Sequence, residues 1–380
     1  MTKPLPDSDT FAFEDSLLVI PRRTPRLFLL NPTARLAWEM LAEGMAPRQV
    51  ADQLATVYGV PLARVRADVA AILTEWRIHG LLARGQTEGE AVELSTEIDL
   101  VLPRAWRERV YRLCGAPVCL RYSGATTEGL LHPLIAHAET SGKAIGVVDL
   151  IETSDGYLVV CNGRDIERAA TGEDALGQAL GRILELSYPE AEWLAGMHAA
   201  AVGNPDGAVI IAGDSGSGKS TLTAALVNAG LSYFSDDVVP LDATLRIRPM
   251  PFGISLKEGS WSVLAPIYPE LKNLKIYDRP RRRYLPVSCD RYGPEAGLVV
   301  KALIFPRYQP GRPTVLRRLS NLQSLERLTR ARSWMALNGR SFSKTLEWIE
   351  ATPAFELDHG SLEESVDTVR KVLRGEGHVP

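Results

Sequence analysis

The stretch Gly213-Asp214-Ser215-Gly216-Ser217-Gly218-Lys219-Ser220 constrains this chain more than any other. It fits the phosphate-binding pattern G-x-x-x-x-G-K-[ST] (Walker A) at every fixed position. Before it, Ala208-Val209-Ile210-Ile211-Ala212 is a short apolar run rich in β-branched residues, the composition of a buried strand. After it, Ser220 to Ala229 carries apolar residues at helical spacing and stops at Gly230. Successive backbone N–H groups in a glycine-rich turn form an anion-binding concavity, and the following helix aims its positive end at the same place. In such a P-loop Lys219 reaches the terminal phosphates and the Ser220 hydroxyl binds Mg²⁺. The expected cofactors are ATP and Mg²⁺, with the nucleotide held by Gly213, Asp214, Ser215, Gly216, Ser217, Gly218, Lys219, Ser220 and Thr221.

Bulk numbers narrow the class. A length of 380 residues predicts two or three domains, and 45% hydrophobic with 23% charged residues is the composition of a soluble globular protein. A net charge of −3 speaks against a general nucleic-acid or membrane-surface binder. No apolar run is long enough to span a bilayer. Residues 1–10 lack the apolar core of a signal peptide and read as a flexible tail, so a cytoplasmic protein is expected. Cys114, Cys119, Cys161 and Cys289 form no C-x-x-C pair, which disfavours a metal site or a disulfide framework.

The N-terminal part reads as short strands at Phe11 to Phe13, Ser16 to Ile20 and Arg26 to Leu30, followed by three helices. Asn31-Pro32 supplies an N-cap and a first-turn proline. The first helix, Thr33 to Ala42, places Leu36, Ala37, Met40 and Leu41 on one face. The second, Ala46 to Tyr58, is expected to bury Val50, Leu54 and Val57 and to end at Gly59. The third, Leu62 to Ile78, buries Val65, Val69, Ile72, Leu73 and Trp76. Strands plus three small helices suggest a winged-helix-like α+β module. Its third helix mixes Arg64, Arg66 and Arg77 with Asp68 and Glu75, so it is not a basic DNA-reading helix.

Residues 11–84 resemble the PqqD-like family through Leu30-Asn31-Pro32-Thr33-Ala34, Trp38-Glu39-Met40-Leu41, Val50-Ala51-Asp52-Gln53-Leu54, Tyr58-Gly59-Val60, Asp68-Val69 and Gly80-Leu81-Leu82. The resemblance implies a recognition element for the leader of a ribosomally made precursor peptide. The leader would add as a strand to the edge Arg26 to Leu30.

The polar stretch at residues 86–94 reads as a linker between a domain at 11–85 and a larger one at 95–380. In the larger domain a strand is expected at Glu93 to Leu102, a helix at Ala105 to Leu113, a strand at Val118 to Tyr122 and a helical face at His132 to Ala138. Strands follow at Ala144 to Ile151 and Tyr157 to Cys161, then a helix at Glu173 to Leu186. Ile145-Gly146-Val147-Val148-Asp149 looks like a metal-binding strand ending in Asp, but it has no partner carboxylate in a loop and reads as an ordinary strand.

Two further features flank the glycine loop. His198 stands one short strand upstream, and Ser235-Asp236-Asp237-Val238-Val239 follows the next strand, at the edge of an α/β sheet where ligands bind. One acid could hold Mg²⁺ and the other take a proton from a hydroxyl. The basic run Arg279, Arg281, Arg282 and Arg283 reads as a solvated loop before it reads as a phosphate clamp.

Together, His198, the Gly-Asp-Ser-Gly-Ser-Gly-Lys-Ser loop and Asp236-Asp237 resemble the HPr kinase/phosphorylase family, closest from Trp193 to Phe252 and in the variant associated with peptide biosynthesis, including lasso-peptide kinases. The resemblance implies a P-loop kinase domain that phosphorylates serine or threonine. It assigns Lys219 to phosphate, Ser220 and Asp237 to the metal, one of Asp236 and Asp237 to proton abstraction, and His198 to support. Thr221 stands where the bifunctional enzymes carry Glu, and Pro251-Phe252-Gly253-Ile254-Ser255-Leu256-Lys257 replaces their Gly-rich segment with Glu-Val-Arg. Reverse phosphorylase activity and HPr as substrate are therefore not expected. Downstream, strands are expected at Leu298 to Phe305, Thr314 to Leu319 and Ala354 to Leu357, and helices at Leu322 to Ala331, Phe342 to Ile349 and after Ser361.

The expected protein is an α/β HPr-kinase-like P-loop kinase preceded by a PqqD-type domain. It would be an ATP-dependent serine/threonine kinase acting on a precursor peptide, with no nucleic-acid or membrane partner. A small-molecule kinase and a nucleotide-gated peptide-binding module remain alternatives, and a homo-oligomer is left open.

Overall fold

The structure is a computed structural model and describes residues 8–22, 26–82, 105–277, 281–331 and 333–376. The chain divides into two compact units: Met1–Asp99 with Leu337–Ser343, and Leu100–Ala336 with Lys344–Pro380. The linker expected at 86–94 and the strand expected at Glu93 to Leu102 lie outside the described residues, as does Arg279.

In the first unit, β1 (Ser8–Phe13), β2 (Ser16–Pro21) and β3 (Phe28–Leu30) form an antiparallel sheet in that order, so β3 is an edge. Ser8, Asp9 and Thr10, expected in a tail over residues 1–10, belong to β1, where Ser8 pairs with Pro21; residues 1–7 lie outside the described residues. Helices α1 (Pro32–Ala42), α2 (Pro47–Tyr58) and α3 (Leu62–Ile78) follow. The Asn31 side chain accepts from Ala34 N at 2.9 Å and caps α1, as the Asn-Pro signal predicts. Gly59 ends α2 at φ 63°, a left-handed conformation that costs glycine little. Leu41, Val50, Leu54, Val69 and Leu73 close a core in which Trp38 and Trp76 meet edge-on at 5.3 Å. Val57 is not part of it. It is 60% exposed, because α2 turns Val50, Ala51 and Leu54 inward and ends before another turn can be covered.

The second unit holds two mixed sheets among the described residues. The first contains β4 (Arg107–Tyr111), β5 (Val118–Tyr122), β6 (Glu139–Thr140), β7 (Gly146–Thr153), β8 (Gly156–Cys161) and β9 (Asp165–Ala169), in the order β6-β4-β5-β7-β8-β9. Parallel strands β5 and β7 are joined through α4 (Ala125–Ile135), and α5 (Gly172–Ser187) packs on β7, β8 and β9. Leu120, Leu131, Ile135, Val148 and Ala179 are buried between these layers.

Two expectations are corrected here. The helix expected at Ala105 to Leu113 is strand β4, paired antiparallel with β5. Arg107, Arg109 and Tyr111 alternate onto one face, where both arginines reach Glu128 of α4, at 2.7 and 2.8 Å, and Tyr111 is buried. Partners distant in sequence thus override the local helical spacing. The helix expected at His132 to Ala138 starts earlier, at the Gly124 N-cap, and ends in a 3₁₀ turn over Ala136–Ala138.

The second sheet contains β10 (Trp193–Met197), β11 (Ala199–Asn204), β12 (Gly207–Ala212), β13 (Ser232–Ser235), β14 (Val239–Asp242) and β15 (Arg246–Ile247). A separate antiparallel ribbon follows, formed by β16 (Ile254–Lys257) and β17 (Arg282–Leu285), with α7 (Glu258–Leu264) directly after β16. The sheet is completed by β18 (Leu298–Tyr308), β19 (Val315–Arg318), β20 (Trp334–Met335) and β21 (Ala354–His359). Its order is β13-β11-β12-β18-β15-β14-β10-β20, with β21 pairing with β18 and β19. Helices α6 (Lys219–Asn228), α8 (Asn321–Arg330) and α10 (Leu362–Leu373) accompany it, and α9 (Gly339–Ala351) begins in the first unit and ends in the second. Strands β12, β18 and β21 run parallel, so their C-terminal ends share one edge. All six residues of β12 are buried, which explains its unbroken apolar sequence. Ser320 caps α8 and Ser361 caps α10 through hydrogen bonds to backbone N–H groups.

Candidate active site

The glycine loop leaves β12 at the parallel strands' C-terminal edge and enters α6 at Lys219. Gly218 is the N-cap of α6 at φ 98°, a conformation that favours glycine. A Cβ there would stand 3.3 Å from Nε2 of His359, at the end of β21, and 3.5 Å from Cβ of Tyr308, at the end of β18. Asp214, Ser215 and Gly216 are exposed, whereas Gly213, Ser217, Gly218, Ser220 and Thr221 are half-buried. The Lys219 Nζ is buried under the loop and donates to the carbonyls of Gly213 at 2.6 Å and Asp214 at 3.1 Å. Burial lowers the Lys219 pKa. Asp236, Asp214 and Asp237 act in the opposite direction, and Lys257 reinforces the fall.

The two acids lie just past the end of β13, where Ser235 Oγ accepts from the N–H groups of Asp237, at 3.4 Å, and Val238, at 3.3 Å. This tight turn sends the adjacent carboxylates into different surroundings. Asp236 is buried and its Oδ2 accepts from Ser255 N of β16 at 2.9 Å, while its Oδ1 has no hydrogen-bond partner. Burial pushes its pKa up to about 7, against the Ser255 N–H and the Ser220 hydroxyl, which pull it down. Asp237 is more exposed, and its Oδ1 lies 3.0 Å from Nδ1 of His198. His198 stands between β10 and β11 and is half-exposed. The hydrogen bond to Asp237 raises its pKa, and burial only partly offsets this.

The structure therefore brings Lys219, Ser220, Asp236, Asp237 and His198 together around the loop, but divides the acids differently from the sequence reading. Asp236, not Asp237, lies beside Ser220, because β13 and β16 turn it under the loop. Asp237 is left facing His198. An unpartnered buried carboxylate oxygen beside a hydroxyl is a donor set that suits a hard divalent cation. Among the described residues no cluster of three or more His, Cys, Asp or Glu side chains could hold a metal. One carboxylate plus a hydroxyl matches an ion that takes its remaining oxygens from water and phosphate.

Three contributors escaped the sequence reading. Ser255 fixes Asp236 through its backbone, Lys257 Nζ donates to Ser215 Oγ, and His359 lies buried under Gly218. The His359 ring is buried, and burial lowers its pKa although the Ser217 backbone pulls the other way. Lys257 and His359 end their strands and Ser255 lies within β16, positions that many inert residues share. The basic run is mostly tied locally: Arg281 pairs with Glu258 at 2.5 Å, and Arg283 lies 4.1 Å from the Trp261 ring centroid.

Among known proteins, the family model described as coenzyme PQQ synthesis protein D (PqqD) matches residues 17–82. A solved structure described as TbiB1 in complex with the TbiA(beta) leader peptide is 21% identical, covering 22% of this chain and 99% of that chain with a TM-score of 0.21. No curated protein matches the chain. No helix among the described residues is long and apolar enough to cross a membrane. The chain thus carries a PqqD-like domain at its N-terminus, followed by a mixed α/β region.

Proposed function

We propose that the protein is an ATP-dependent kinase that phosphorylates a serine or threonine hydroxyl of a ribosomally made precursor peptide, with the leader held by the PqqD-like domain. The observation that carries this reading is the pair of unlike acids at the glycine loop. Asp236 is buried and unsatisfied beside Ser220, while Asp237 is accessible and hydrogen-bonded to His198.

In this reading the loop N–H groups and Lys219 bind the phosphates of ATP, and Ser220 and Asp236 hold Mg²⁺. The ion would supply charge neutralisation between the outer phosphates. Asp237 accepts the proton of the acceptor hydroxyl, whose oxygen forms a bond to the terminal phosphorus as the bond to ADP breaks. His198 keeps Asp237 oriented until that transfer. Most of the catalysis comes from position and electrostatics. The leader would add to the β3 edge through backbone hydrogen bonds, raising the local concentration of the core peptide.

The test incubates the full-length protein with Mg-ATP and a precursor peptide carrying its leader, followed by intact-mass measurement. A gain of one phosphate on a core serine or threonine, slowed when the leader is removed, is the expected result. ADP and free phosphate without phosphopeptide would instead make the protein a nucleotide-gated binding module.

A further inference from the structure

Strand β16 runs past the glycine loop and is tied to the site at two points. Ser255 N donates to Asp236 Oδ2 at 2.9 Å, and two residues on Lys257 Nζ donates to Ser215 Oγ. Side chains two apart on a strand share a face, so the residue that fixes the buried acid and the lysine over the loop are set by the same backbone. That backbone is firmly held. Lys257 pairs with Arg282 across the ribbon, its carbonyl accepts from Ser260 Oγ at 2.7 Å, and the Leu256 carbonyl accepts from Trp261 Nε1 at 2.9 Å.

The lysine itself is exposed, and among the described residues its ammonium has no carboxylate partner. It is close enough to Lys219 to oppose the charge there. Two ammonium groups gathered at a loop of backbone N–H groups and a helix N-terminus repel one another unless an anion lies between them. Lys219 is buried beneath the loop, whereas Lys257 reaches Ser215, one of the loop's outermost residues. A metal-bound triphosphate keeps negative charge at its outer end, where a second cation is most effective.

We infer that Lys257 is a second cationic ligand of the nucleotide, binding the outermost phosphate of a nucleoside triphosphate. This rests on the nucleotide reading proposed above and adds the residue that distinguishes a triphosphate from a diphosphate. Ser215 holds the ammonium over the loop, and the strand that fixes Asp236 keeps Lys257 in register with it.

The experiment is calorimetric titration of the full-length protein and its Lys257→Met and Lys257→Arg variants with Mg²⁺ plus either a non-hydrolysable ATP analogue or ADP. Lys257→Met is expected to weaken the triphosphate analogue about tenfold and ADP by less than about twofold, the cost of one charge-assisted contact. Lys257→Arg should recover most of the loss. Should Lys257→Met not fold, Lys257→Gln gives the same ratio. Equal weakening of both nucleotides, or of neither, overturns the assignment while leaving the nucleotide site intact. If the unsubstituted protein binds neither nucleotide, the nucleotide reading fails and this inference with it. If it binds the triphosphate without transferring phosphate and the ratio still shifts, Lys257 stands and the kinase reading does not.

Discussion

Asp149 in the six-stranded sheet and Asp236 beside the glycine loop are both buried, at 4% and 6% exposure, yet their surroundings treat them in opposite ways. Asp149 lies mid-strand in β7 and receives both forks of Arg121 from β5, each at 2.6 Å. Its two oxygens are satisfied, and the bond raises the Arg121 pKa. Asp236 receives one backbone N–H on one oxygen and has no partner on the other, so burial pushes its pKa up to about 7. A satisfied buried charge fixes two strands in register. An unsatisfied one is poised for a ligand that the chain itself does not supply. The same contrast explains why the Val-Val-Asp segment within β7 is structural, while an acid in a turn marks the candidate site by the other sheet.

The strongest way to break this contrast is functional. Lys219→Met should reduce phosphoryl transfer at least about 10³-fold in a phosphopeptide assay, since removing a preorganised charge at a transferring phosphoryl group has that scale. Asp149→Asn, assayed on folded protein, should change it less than about threefold. A large loss from Asp149→Asn would erase the distinction between the two acids.

Stability gives a smaller effect of opposite sign in the two sheets. Asp149→Asn leaves the Arg121 fork without its carboxylate and should cost about 1–3 kcal/mol in denaturant unfolding, at the low end because Arg121 is partly exposed. Asp236→Asn should raise stability by about 1–3 kcal/mol at pH 8 with a chelator present, because it removes a charge that burial disfavours. The sign follows from linkage. A carboxyl whose folded pKa is raised binds more protons folded than unfolded between pH 3.8 and about 7, so stability falls as pH rises through that window. The gain from Asp236→Asn should therefore shrink at pH 5. A gain independent of pH would show that the Asp236 carboxyl is not held up by burial.

The smallest effect is a titration. The hydrogen bond to Asp237 raises the His198 pKa, so the pair's stabilisation is complete below the ordinary histidine value and lost as pH rises through the raised one. Following the His198 ring by NMR, Asp237→Asn should lower its midpoint and Asp236→Asn should lower it much less. Equal shifts from both would mean the two acids act on His198 as one charge cluster, and the separate roles proposed for them would fall.

Much of this was legible in the sequence where the signal is contiguous. The Asn31-Pro32 cap, Gly59 and the apolar faces of α1 and α3 all depend on residues within a turn or two of each other. Legibility failed where the partner is distant. The segment from Arg107 to Tyr111 carries helical spacing, yet it becomes β4 because Glu128 and strand β5 claim its alternate side chains. Val57 fits the apolar stripe of α2 but ends up in solvent, since nothing in its own helix reveals where the covering layer stops. Asp236 and Asp237 are neighbours of one type, so no pattern could tell which would be buried against Ser255 and which would meet His198.

The sequence by itself determined the glycine loop between a buried strand and a helix, the acids after the next strand and the PqqD-like pattern, because backbone conformation and hydrophobic periodicity are written in adjacent residues. Only the tertiary structure decided that Asp236 is desolvated, that Asp149 is neutralised by Arg121, and that Lys257 reaches the loop. Desolvation and hydrogen-bond satisfaction are set by whichever strands pack across a side chain, and those strands come from distant parts of the chain.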